Sequence, residues 1–173
     1  MDPAVLFKLS YGLYVIGVMD GDTPQGCIAN TVFQVTAEGM IAVSMSKNNH
    51  THRLMRDTGK FSVSILTEAT PPKTIGRFGY SSGANVNKFD GLEYALHDGL
   101  PMLKAECAGY LFCNIVDSYD VETHTVFFAN VYDGCMDEAC VEKGVPVMTY
   151  DYYHKVVKGK APKNAPTYQA AAK

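Results

Sequence analysis

Two segments of this chain switch between apolar and small polar residues with a period of two, and that pattern restricts the fold more than anything else in the sequence. In "MIAVSMS" (residues 40–46), Ile41, Val43 and Met45 share one side while Ser44 and Ser46 share the other. In "KFSVSIL" (residues 60–66), Phe61, Val63 and Ile65 oppose Ser62 and Ser64. Only a strand with one packed face and one polar face reads this way. "LYVIGVM", the turn cluster "DGDTPQG" and "CIANTVFQVT" add a hairpin over residues 13–36, and "AGYLFCNIVDSYDV" with "THTVFFANVYDG" add two strands joined around Val121 to Thr123.

Helices are expected to be short. Asp2 and Pro3 open one that ends by Gly12, Thr51 is read as the N-cap of one that stops at Gly59, and "TPPKTIGRFGY" starts another at its prolines. "SSGANVNKFDGLEY" is a long polar connection, and the segment from Pro146 shows no periodicity. Five or more strands with two or three short helices predict a mainly β, antiparallel barrel with helical connections. A Rossmann fold is disfavoured, because no G-x-G-x-x-G follows a strand.

At 173 residues and 47% hydrophobic, the chain suits one core and one domain over 1–173, with a basic tail from about residue 155. A net charge of -3 without a basic face argues against a nucleic-acid partner. No stretch reaches the roughly 18 apolar residues of a membrane span, and the N-terminus has no signal-peptide pattern, so a cytoplasmic location is expected. Five cysteines without a C-x-x-C pair suggest reduced, mostly buried thiols, with neither a metal site nor a disulfide framework.

Several chemistries can be weighed on the residues. "GYSSG" fits G-x-S-x-G with Ser81 as nucleophile, but no buried strand precedes it, which removes the hydrolase reading. His50 and His52, two apart, do not share a helix face and have no ligand-spaced carboxylate or cysteine nearby. Cys135 and Cys140 lie in the acidic "CMDEAC", without the positive surroundings that activate a thiol, and read as unpaired surface thiols. "SMSKNNHTHRL" is different: Ser44, Ser46, Lys47, Asn49, Thr51 and Arg53 surround the start of a helix, where free N–H groups favour a phosphate, although an ordinary strand-to-helix turn uses similar residues. Asn30 and Thr31, in the middle of "GCIANTVFQVT", fall on opposite faces of a continuous strand and could meet the polar edge of a ring.

Taken in order, "GCIANTVFQVT", "IAVSMSKNNHTHRLMRDTGKFSVSIL", "RFGYSSGANVNKFDGLEY" and "HTVFFANVYD" resemble the flavin reductase-like family with its FMN-binding split barrel. The ending "MTYDYYHKVVKGKAPKNAPTY" is most similar to the flavoprotein module of high-molecular-weight rubredoxins, and the resemblance spans about residues 2 to 168. It implies that Ala29, Asn30 and Thr31 meet the isoalloxazine ring, that Ser44, Ser46, Lys47, Asn49 and Thr51 hold the ribityl chain and phosphate with Arg53 beside them, and that Phe78 and Lys88 lie near the outer flavin edge or a second subunit's site. His124 matches a position close to the flavin or the nicotinamide, with a plain strand-end histidine as the alternative. The implied activity is an FMN-dependent oxidoreductase, FMN being preferred to FAD, that takes a hydride from NAD(P)H and passes electrons to an acceptor such as rubredoxin. With no C-x-x-C pairs in this sequence, that acceptor is expected to be a separate protein or a small molecule. A homodimer is implied as well. The alternatives are a flavin-binding electron-transfer protein reduced by a protein partner without nicotinamide, and a barrel that binds no flavin.

Overall fold

A computed structural model describes residues 2, 5 and 8–157. The opening helix expected from Asp2 and most of the basic tail lie outside the described residues. The strands are β1 (Tyr14–Asp20), β2 (Thr23–Ala29), β3 (Val32–Gln34), β4 (Met40–Ser46), β5 (Lys60–Leu66), β6 (Tyr94–His97), β7 (Leu100–Leu103), β8 (Cys107–Val121) and β9 (His124–Met136). The helices are α1 (His50–Thr58), α2 (Pro72–Tyr80) and α3 (Glu138–Lys143), followed by helical turns over Tyr150–Tyr152 and Tyr153–Val157.

Seven strands form one sheet in the order β2-β1-β5-β8-β9-β4-β3, every pair antiparallel. The two outermost strands, β2 and β3, are separated in sequence only by Asn30 and Thr31. One short stretch therefore supplies both edges: residues 23–29 pair with β1, residues 32–34 pair with β4, and the sheet curls into a barrel to bring those edges together. The expectation of a single continuous strand over residues 26–36 is corrected here. Its break at Asn30 and Thr31 is the seam of the barrel, so side-chain alternation does not carry across it. The preceding turn is also tighter than expected, since Thr23 to Gly26 already belong to β2.

Ser62 and Ser64, the polar face of β5, are buried at 0% and 1%. The β6–β7 hairpin, for which the sequence offers no strand pattern, lies over them. Ser62 Oγ donates to the Pro101 carbonyl and the Leu103 N–H donates to Ser64 Oγ at 3.2 Å, so both hydroxyls are satisfied where they are covered. Cys140, expected at the surface, is buried in α3, whereas Cys135 is exposed.

Two apolar clusters fill the interior. Ile16, Val43, Phe61, Val63 and Phe127 pack with Leu54 and Met55 of α1, while Leu66, Leu103, Tyr110 and Phe112 pack with Ile75 and Phe78 of α2. Each such side chain stabilises the fold by about 1.5–3 kcal/mol on burial. α1 ends where expected: Gly59, at φ 69, adopts the left-handed cap and donates its N–H to the Met55 carbonyl. Its beginning differs. Asn49 is the N-cap position and Thr51 is buried within the first turn.

Candidate functional site

The seam and the start of α1 adjoin each other. The Ser44 N–H donates to the Thr31 carbonyl at 3.1 Å, which ties the corner to β4 two residues before the loop that leads into α1. At the corner, Ala29 is buried, Asn30 and Thr31 are half-buried, and the Thr31 hydroxyl donates to Asn30 Oδ1 at 3.1 Å. The two polar side chains thus bond each other across a bend.

The β4–α1 loop is pinned to the tip of the β8–β9 hairpin. The Lys47 N–H donates to the Thr123 carbonyl at 3.0 Å, the Asn49 N–H donates to the Ser46 carbonyl at 3.0 Å, and the Asn48 N–H approaches Ser46 Oγ at 3.4 Å. His124 faces Ser46 across the β4–β9 ladder, so a residue remote in sequence is delivered to this loop; its Nδ1 lies 2.8 Å from Thr123 Oγ1. The Asn49 side chain makes no cap; within the first turn of α1 only its carbonyl serves, accepting the His52 N–H at 3.1 Å.

Charges gather around the same turn. Asp120 accepts from Arg56 Nη2 at 2.7 Å and lies 3.5 Å from Lys47 Nζ. The Thr125 hydroxyl, and after it Arg56 and Lys47, hold its carboxyl below the usual carboxylate range. His50 Nε2 lies 2.9 Å from Asp20 Oδ2, and Arg53, exposed on α1, reaches only to His50 Nδ1 at 3.5 Å. His52 is buried; burial first, and then Arg56, pushes its imidazole below the ordinary histidine value.

Lys88 is 2% exposed, and its Nζ donates to the Phe78 carbonyl at 3.0 Å. Burial pushes its ammonium below the usual lysine range, opposed by Cys27, whose own thiol is pushed up by burial and is hydrogen-bonded to Thr51. Phe78 does not join this group through its ring, which is 1% exposed and packs edge-on against Phe89 at 5.0 Å in the core.

Sequence reasoning missed Gln25, taken as part of a turn. It is buried in β2, with Nε2 donating to the Val86 carbonyl at 3.3 Å and Oε1 without a partner among the described residues. Gly83 closes on it: a Cβ there would stand 2.8 Å from Gln25 Oε1 and 3.3 Å from His50 Cδ2. No local pattern announces a buried glutamine at an i, i+58 approach, so only its place in an apolar-edged strand could have raised it. A partnerless buried acceptor, a buried ammonium with one acceptor and an uncapped helix start together fit a phosphorylated ligand that also carries hydroxyl donors. Beside the seam, an apolar trough of about 360 Å³ runs past Val32, Phe33, Ile65, Leu111 and Val131. Phe33 is 53% exposed there.

The sequence pattern of the Flavin reductase like domain matches residues 6–157, and the chain belongs to that family, a class of oxidoreductases. The chain is 41% identical over 170 residues to a high molecular weight rubredoxin of Moorella thermoacetica, covering 97% of this chain and 72% of that protein. It is 39% identical over 170 residues to a ferric-chelate reductase (NAD(P)H) of Archaeoglobus fulgidus, covering 97% of this chain and 98% of the other. The barrel superposes on an FMN-binding protein from Thermus thermophilus with a TM-score of 0.74 at 22% identity, covering 86% and 85% of the two chains, which shows the shared split-barrel fold. No helix among the described residues is long and apolar enough to cross a membrane.

Proposed function

We propose that this chain is an FMN-dependent oxidoreductase that draws reducing equivalents from NAD(P)H and delivers them to a separate acceptor, a rubredoxin-type protein or a chelated metal. The observation that carries this reading is the unmet hydrogen-bonding capacity around the first turn of α1, directly beside the polar seam. The relatives support the two ends of the reaction, since one is named for NAD(P)H and ferric-chelate reduction and the other for rubredoxin.

Flavin bound in this site would supply the redox chemistry, accepting a hydride and releasing electrons onward. The chain's own residues bind and orient. Ala29, Asn30 and Thr31 present backbone and side-chain groups at the seam to the polar edge of the ring. Ser44, Ser46, Lys47, Asn49 and Thr51 hold the ribityl chain and phosphate with the help of the α1 dipole, and Lys88 adds a buried cation. Arg53 guides the anion from the surface, and His124 flanks the loop on the side of β9. Phe78 contributes its carbonyl to fixing Lys88, and its ring serves the core. The trough past Phe33 adjoins the seam, and we place a second copy of the chain over it in a homodimer.

Anaerobic mixing of the flavin-loaded protein with NADH and with NADPH tests the reading. Bleaching of the flavin absorbance supports it. Colour that persists with both nucleotides but is discharged by a reduced protein partner would identify an electron-transfer protein instead.

A further inference from the structure

Asp120 lies outside the residues assigned to the flavin, yet it joins α1 and the β4–α1 loop, which build much of the proposed phosphate end, to the β8–β9 hairpin. Its Oδ1 accepts from Arg56 Nη2 and from Thr125 Oγ1, each at 2.7 Å, and its Oδ2 is 3.5 Å from Lys47 Nζ. Thr125 is fully buried, and its Oγ1 lies 2.8 Å from His52 Nε2. Because the threonine has one proton and gives it to Asp120, His52 must donate through Nε2–H. Donation therefore runs from His52 to Thr125 to Asp120, where Arg56 and Lys47 also converge. The participants come from α1, the two strands of the β8–β9 hairpin, and the β4–α1 loop.

We propose that Asp120 is a positioning residue for the phosphate end of the flavin, locking the β8–β9 tip against α1 and holding the Lys47 ammonium in place over the loop. This rests on the flavin reading above. The sign of its effect follows from two opposed contributions. A carboxylate next to Lys47 cancels part of the attraction for phosphate, but the pair is half in solvent, where that cancellation is screened. The ordering of a long, flexible side chain is not screened, and fixing it beforehand removes that cost from binding. Positioning therefore prevails, and only a ligand with a phosphate should sense it.

Quenching of flavin fluorescence gives Kd for FMN and for riboflavin, which lacks the phosphate. Asp120→Ala is expected to raise the FMN Kd about tenfold, the size of one lost charge-assisted contact, and to leave riboflavin within about twofold. Asp120→Glu should recover part of the loss. In a Lys47→Met background, Asp120→Ala should weaken FMN little further, since Asp120 acts through the Lys47 ammonium. Asp120→Asn, which keeps the shape, serves if the alanine variant does not fold, and should weaken FMN in the same direction. Unchanged or tighter FMN binding would overturn the proposal, as would a parallel loss for riboflavin, which would make the clamp purely structural. A wild-type chain that binds neither flavin would instead bring down the flavin reading itself, and the proposal with it.

Discussion

Two polar regions of this barrel manage their hydrogen bonds in opposite ways. Around Glu106, between β7 and β8, the Thr67 and Thr70 hydroxyls both donate to the Glu106 carbonyl, at 2.6 and 3.0 Å. The Glu106 carboxylate takes Lys143 at 3.0 and 3.1 Å, and the single proton of Tyr110 Oη is shared between the Leu103 carbonyl at 3.1 Å and Asp137 Oδ2 at 3.2 Å. Around the first turn of α1, by contrast, the Asn49 side chain makes no cap and Gln25 Oε1 is buried without a partner, while the buried Lys88 ammonium has one hydrogen-bond acceptor among the described residues. The first region spends its polar groups on itself and holds Glu106 at a positive φ of 55. The second withholds them, at a cost in stability that a ligand can return.

The difference can be tested by substitution in each region. In the core that backs the Glu106 corner, Phe112→Ala should produce the largest change, about 3–5 kcal/mol of lost stability by chemical denaturation, while the folded fraction keeps its FMN affinity. Lys88→Met should separate the two properties. It should raise stability by about 1 kcal/mol, because a buried ammonium is replaced by an apolar chain of similar length, and should weaken FMN binding at least tenfold or about 1.4 kcal/mol. A loss of both would mean that Lys88 serves the fold alone.

The pH dependence of stability should also centre on the α1 region. His52 holds its imidazole below the ordinary value of 6.5, so as pH falls through 6.5 the unfolded chain takes up a proton that the folded chain refuses, and stability declines. Asp120, held below 3.8, contributes stability above that pH, and this is lost as pH falls through its folded value. Both slopes have the same sign and follow one another on the acid side. His52→Gln should flatten the upper part in a urea titration between neutral pH and about pH 5, around the ordinary histidine value.

The smallest effect expected is a chemical one. Burial pushes Cys107 and Cys113 up to about 12 and also raises Cys27, and Cys140 is covered in α3. A disulfide reagent at neutral pH should therefore titrate Cys135 promptly in the native chain and the other four only on unfolding.

Most of the barrel was legible because period-two alternation is a local property: β4, β5, β8 and β9 all lie where that pattern places them. The seam was not, because nothing in "CIANTVFQVT" says that its two halves pair with different partners; that is decided by which strands meet when the sheet closes. The burial of the β5 serines was not legible for a similar reason, since alternation gives the face but cannot say that the β6–β7 hairpin will cover it. In the candidate site, the helix-start residues Ser46 to Thr51 were open to proposal from type and spacing. Gln25, Asp120 and Thr125 were not, because what draws notice to them is contacts with residues far away in sequence. His124 occupied a middle ground, named from a resemblance and then brought opposite Ser46 by strand register.

The central claim is that the first turn of α1 and the seam together hold a phosphorylated flavin. Titration of the isotope-labelled chain with FMN, followed through backbone amide resonances, tests it directly. The account predicts that the largest shifts fall at Ala29 to Val32, at Ser46 to His52 and at Lys88. Shifts concentrated around Glu106 and α3, or no saturable shift at all, would contradict it.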